Sequence, residues 1–140
     1  MNYRVGIFGF LPARELASNS SLNVGIKDIG AAFEWVRKYI RIFGGDPTRI
    51  TGFGFSSGAV SIATLLLAND GTLDLFDSAA LHSGSVLPLL ENVDSARGIV
   101  KMVARLSNCT ASANLISCLR KVDAVLLNRI SEITNKAFNR

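Results

Sequence analysis

The chain has 140 residues, of which 49% are hydrophobic and 19% charged, with a formal net charge of +4, one histidine and two cysteines. That length suits one domain rather than several, and the basic residues are spread without forming a run, which excludes a nucleic-acid-binding stripe and reads as solvated helix faces. One histidine and two cysteines cannot assemble a zinc site on their own, and the longest apolar stretch, 59–68, falls short of the roughly 18 to 20 residues of a bilayer span.

The opening stretch, MNYRVGIFGFLP, places Arg4 ahead of an apolar run in the manner of a signal peptide. It lacks a small-x-small cleavage site and continues into patterned sequence, so it reads as structure, with no signal peptide in the chain. From Lys27 to Phe43 the apolar residues Ile29, Ala32, Phe33, Val36, Ile40 and Phe43 fall at helical spacing, while Lys27, Glu34, Arg37, Lys38 and Arg41 occupy other positions. This predicts an amphipathic helix with Phe43 on its packed face. Gly44-Gly45 stops it, because glycine accepts the left-handed conformation that helix C-termini favour, and Asp46-Pro47 makes the turn that follows.

Ile50 to Phe55 is short, apolar and bounded by turn residues, as a buried strand would be. Ser57 to Ala68 reads as a helix apolar almost all round and therefore buried, and Phe76 to Leu81 as a second strand ending at Ser83-Gly84-Ser85. Helix, strand, helix, strand in that order predicts an α/β fold with a parallel sheet flanked by helices. Beyond Pro88 the pattern turns helical, with Ile99, Met102, Val103 and Leu106 in one segment and Leu126, Ile130, Ile133 and Ala137 in another, after Asp123 as a cap.

Between the first strand and the helix after it lies Gly54-Phe55-Ser56-Ser57-Gly58, a G-x-S-x-G motif. A serine on a sharp strand-to-helix turn projects its hydroxyl from the carboxyl edge of the sheet, and Gly54 and Gly58 are expected to supply room that larger side chains would fill. The Ser57 backbone N–H, at the start of the helix, would face the oxyanion formed when Ser56 attacks an ester carbonyl. The bland alternative is an ordinary tight turn with no chemistry.

The resemblance to a known family extends well beyond this turn. Asn2-Tyr3-Arg4-Val5-Gly6 with Gly9-Phe10-Leu11, then Asn23-Val24-Gly25-Ile26-Lys27-Asp28, Trp35-Val36, and above all Phe43-Gly44-Gly45-Asp46-Pro47 followed by Thr51, Phe53-Gly54, Ser56 and Gly58 are similar to the motifs of the type B carboxylesterases, the group of cholinesterases, neuroligins and fungal lipases. Ser83-Gly84-Ser85 and Cys118-Leu119-Arg120 resemble two more of its segments. Phe55 stands where the family usually has Glu, so a buried polar contact must be absent or replaced. Ser57 replaces Ala, which leaves a backbone donor unaffected, and Ile29 stands where Gln is common.

The resemblance implies a partial α/β-hydrolase fold over 1–140, a single domain truncated at both ends with a helical C-terminal part. It implies a serine esterase that hydrolyses small-molecule carboxylic esters through an acyl-enzyme on Ser56, needs no cofactor, and acts in a secreted parent. It also pairs Cys109 with Cys118. A disulfide closing so short a loop contributes about 2.5 kcal/mol in the chain-entropy model, and without the resemblance two buried free thiols remain the lesser, alternative reading of the spacing. The sequons Asn19-Ser20-Ser21 and Asn108-Cys109-Thr110 are compatible with secretion.

Serine catalysis also needs a base and a group that orients it. His82, 26 residues after Ser56, stands where the family commonly has Gln, and α/β-hydrolases place the base after the acid, late in the fold. Asp77, Glu91 and Asp94 follow the serine but none is assignable as the acid. The chain alone is therefore expected to be inactive, and Asn2-Tyr3-Arg4 is expected to be the end of a strand. The alternative of another class is a catalytically dead, neuroligin-like adhesion domain.

Overall fold

The computed structural model describes residues 1–18, 21–68, 74–85 and 93–138. Chain-order elements are α1 (Gly6–Phe10), α2 (Arg14–Ser18), α3 (Val24–Tyr39) with a 3₁₀ turn at Ile40–Phe43, β1 (Thr51–Phe55), α4 (Ser57–Leu67), β2 (Ser78–His82), α5 (Val93–Leu106), α6 (Leu115–Leu119) and α7 (Ala124–Phe138). They gather into two compact units, one of Met1 with Ile26–Leu89 and one of Asn2–Gly25 with Leu90–Arg140.

In the first unit β1 and β2 pair in parallel with Thr51 opposite Ser78 and Phe55 opposite His82. Parallel neighbours need a crossover, and α4 supplies it. The strands begin at a polar clamp: the Asp77 carboxylate accepts the Ile50 N–H at 2.7 Å, while the Ile50 carbonyl accepts the Asp77 and Ser78 N–H groups at 2.8 and 3.2 Å. Because Phe76 and Asp77 are engaged in this approach, β2 starts at Ser78 rather than at Phe76. Phe76 packs its ring against Phe33 of α3 at 4.8 Å instead.

Arg37 of α3 fixes the same clamp from the side. Its Nη1 donates to the Pro47 carbonyl at 3.1 Å, and Nη2 lies 3.2 Å from Asp74 and 3.6 Å from Asp77. One guanidinium thus ties the helix to the turn before β1 and to the entry of β2, a reach that its planar fork of donors permits.

Three expectations change here. The strand at Ile50–Phe55 is not buried throughout: Gly52 and Gly54 are buried while Thr51, Phe53 and Phe55 are exposed, because the described helices cover one face only. A Cβ at Gly52 would touch Phe33 and Ile62, which identifies that face. Helix α4 buries Ala59, Ser61, Ile62, Ala63 and Leu65 but leaves Leu66 and Leu67 exposed. Phe43 is 70% exposed, because the α-helix tightens to 3₁₀ winding after Tyr39 and three residues per turn carry Phe43 off the packed stripe. Gly44 ends that turn at φ 82°, its N–H donating back to the Ile40 and Arg41 carbonyls.

The second unit is helical. Leu11, Ala13, Val103, Cys109, Leu115, Leu119 and Ile130 form its buried core. Asp123 caps α7, its Oδ1 accepting the Val125 and Leu126 N–H groups at 3.0 and 3.1 Å, and Asn114 caps α6 through the Ser117 N–H at 2.8 Å. Asn2, Tyr3 and Arg4 pair with no strand among the described residues, and α1 follows directly. Such five-residue helices as α1, α2 and α6 are too short to stand alone and are held by tertiary partners, as when Glu15 of α2 accepts the Leu115 N–H of α6 at 3.4 Å.

Candidate active site

The turn between β1 and α4 carries Ser56 at φ 52° and ψ −118°, a conformation that L side chains rarely adopt. The strand geometry holds it there. The Ser56 N–H donates to the His82 carbonyl at 2.9 Å, extending the β1–β2 ladder one residue past the strand, and the Ser56 carbonyl accepts the Val60 N–H at 3.1 Å to start α4. The backbone is therefore engaged on both sides while the side chain is not. Ser56 stands at the N-cap of α4, where a serine hydroxyl commonly turns back to bond the helix, yet this one makes no such bond. It is exposed and has no hydrogen-bond partner among the described residues.

Ser57 is the first residue of α4, so its N–H has no carbonyl four residues earlier within the helix and belongs to the unsatisfied donors of the helix N-terminus. Its own carbonyl accepts the Ser61 hydroxyl at 2.8 Å. The positive end of an 11-residue helix therefore begins beside Ser56.

The two glycines of the motif differ. A Cβ at Gly54 would come within 2.5 Å of the Gly58 carbonyl group and 2.6 Å of the Ala59 nitrogen, so strand and helix approach backbone to backbone and no side chain fits between them. The same crowding was expected at Gly58, but a Cβ there would meet nothing within 4 Å among the described atoms. Gly58 contributes its carbonyl to the contact, and its α-carbon faces away. A glycine that sequence reasoning did not single out for the turn, Gly84, is as constrained: its Cβ would lie 2.6 Å from the Ser56 carbonyl oxygen and 2.9 Å from the Ala59 methyl. The small-residue cluster after β2 was the available signal.

Phe55 and His82, opposite each other in the ladder, stack with ring centroids 5.2 Å apart and planes 26° from parallel. Phe55 thus makes an aromatic contact with His82. The His82 Nδ1 lies 3.4 Å from the Ser83 hydroxyl, and the imidazole makes no hydrogen bond to Ser56. Asp77 is committed to Ile50 and Arg37, Glu91 lies outside the described residues, and the side chain of Asp94 is likewise not described. No described side chain therefore serves Ser56 as a base.

Cys109 and Cys118 are joined by a disulfide, with Cα atoms 5.9 Å apart, inside the core of the helical unit. The same unit contains a cleft of about 450 Å³ lined by Ile7, Leu11, Leu16, Leu119 and Leu127 with Arg4 and Arg120, to which Ser56 contributes nothing. No group of three or more His, Cys, Asp or Glu that could hold a metal occurs among the described residues.

Residues 1–139 match the model of the carboxylesterase family. The chain belongs to that family. It is 39% identical over 139 residues to a secreted lipase 1 of Botryotinia fuckeliana (strain B05.10), covering 94% of this chain and 24% of the lipase. It is 38% identical to carboxylesterase 5A of Felis catus, over 93% of this chain and 24% of that protein. The solved structure of a thermophilic pNB esterase superposes with a TM-score of 0.82 at 32% identity, covering 99% of this chain and 28% of the esterase chain. The carboxylesterase chain thus spans about a quarter of the length of these relatives, and its strands and helices form part of an α/β-hydrolase fold.

Proposed function

We propose that Ser56 is the nucleophile of a serine carboxylic ester hydrolase, acting through an acyl-enzyme, and that the Ser57 N–H is one donor of its oxyanion hole. The observation that carries this reading is the state of the Ser56 hydroxyl: exposed, unbonded and left uncapping at a helix N-terminus, on a backbone turn that is costly to maintain. A purely structural turn gains from glycine at such a φ, or from a serine that caps the helix.

In the reaction Ser56 Oγ attacks the ester carbonyl carbon, its proton passes to a base, and the carbonyl oxygen takes up the negative charge opposite the Ser57 N–H. Collapse expels the alcohol and leaves the acyl group on Ser56, from which water releases the acid. The base and its orienting acid are not assignable in these residues, so the chain by itself does not turn over ester. The relatives named as secreted support an extracellular parent.

The test is covalent labelling by a fluorophosphonate in a protein that supplies the rest of the family's length, followed by peptide mapping. Label is expected on Ser56, and Ser56→Ala removes both label and ester hydrolysis. The isolated chain is expected to label at background rate. A folded full-length protein that neither labels nor hydrolyses esters would favour the adhesion reading instead.

A further inference from the structure

We propose that Asn108 is an N-glycosylation site whose use depends on the timing of the neighbouring disulfide. The proposal rests on the extracellular reading of the parent, since the modification belongs to the secretory route. Asn108-Cys109-Thr110 satisfies the acceptor pattern, and both Asn108 and Thr110 are exposed in the turn that follows α5. The Asn108 backbone, at φ 58°, occupies the left-handed region that asparagine tolerates, and its N–H donates to the Arg105 carbonyl at 3.2 Å. Its side-chain amide has no hydrogen-bond partner among the described residues, so a bulky glycan would replace no contact of the fold.

The residue between acceptor and threonine is what makes this sequon unusual. Cys109 is 2% exposed, its N–H donates to the Ala104 carbonyl at 2.7 Å, and its sulfur is bonded to Cys118. Oligosaccharide transfer requires the enzyme to grip the three residues together. In the transfer, the Asn108 amide nitrogen forms a bond to the anomeric carbon of a polyprenyl-pyrophosphate-linked oligosaccharide, the bond from that carbon to the pyrophosphate breaks, and one amide proton is released. With the middle residue buried and clamped on two sides, the folded loop cannot be presented to that enzyme. A finished loop has room to carry the glycan at the exposed Asn108 but only an open one can receive it, so disulfide closure and glycosylation compete for the same chain.

The experiment compares the protein expressed from its own gene in a eukaryotic host with its Cys118→Ser and Thr110→Ala variants, scoring Asn108 by its conversion to aspartate on enzymatic deglycosylation. Partial occupancy is expected in the wild type, higher occupancy in Cys118→Ser and in cells treated with a thiol reductant, and none in Thr110→Ala. Thr110→Ala is preferred to Asn108→Gln because it leaves the left-handed residue in place. Wild-type protein recovered with its disulfide intact, and with Asn108 bare in it and in Cys118→Ser alike, overturns the proposal and leaves the extracellular reading standing. Protein recovered reduced and bare overturns both. Occupancy unchanged by Cys118→Ser overturns the competition.

Discussion

Glycine would occupy φ 52° and ψ −118° at little cost, whereas a serine there stores on the order of 1–3 kcal/mol of backbone strain. Ser56→Gly should therefore raise the stability of the strand unit by about 1 kcal/mol after allowing for the added freedom of the unfolded chain. Urea unfolding followed by the fluorescence of Trp35, the single tryptophan, measures it, and a loss of stability would show that the turn is not strained. A second residue-scale expectation concerns Asp46. The Thr48 hydroxyl, then the Thr48 N–H and the Arg49 guanidinium, hold its carboxyl down to about 2 from 3.8. A lowered folded pKa means that this turn is favoured above the unfolded value and loosens as pH falls through about 2, so no change is expected between pH 7 and 5. The Thr48 amide resonance should titrate with that low midpoint, and in Asp46→Asn it should not titrate at all. Residues of this kind are the ones that sequence reading handles well, because Gly44, Asp46-Pro47 and G-x-S-x-G dictate backbone shape through two or three adjacent positions.

Elements were less legible, since their surroundings decide them. The period of α3 was readable from Ile29 to Ile40, but the tightening that turns Phe43 outward leaves no mark in the hydrophobic pattern. Crowding at Gly54 and openness at Gly58 depend on which way the first turn of α4 faces, and the motif treats the two glycines alike. The most consequential contact between elements was also invisible: Arg37 reads as one more solvated charge, yet it joins α3 to Pro47, Asp74 and Asp77. Replacing it by Met should keep the helix and its packing stem while removing the tie, at a cost of about 1–2 kcal/mol. Arg37→Lys should recover only part of that, because an ammonium cannot serve the carbonyl and the carboxylates in one geometry. Denaturant midpoints of the two variants, again read at Trp35, distinguish this from a general effect of charge.

At the scale of the molecule, the strand unit exposes much apolar surface. Phe53 is 71% exposed and Ile42 79%, with Trp35, Phe55 and Leu67 also open, around a parallel pair of strands that ordinarily would be covered on both faces. The chain expressed by itself should accordingly bind a hydrophobic dye and self-associate with rising concentration. Light scattering checks this, and a monodisperse, dye-free monomer would contradict it. Neither a base for the proposed Ser56 nucleophile nor a cover for these side chains could be read from the residues at hand, for the physical reason that such partners are brought together in space from distant segments. The two units also differ in how their pieces are strung along the chain. The described backbone contacts of the serine turn itself lie between Thr51 and Gly84, whereas the helical core needs Leu11 and Ala13 to meet Val103, Leu115 and Ile130. On a ribosome adding about 5–20 residues per second, the serine turn can therefore close seconds before the C-terminal helices emerge. The first helices must wait through that interval without their core, which makes the segment before α3, rather than the serine turn, the natural client of a chaperone.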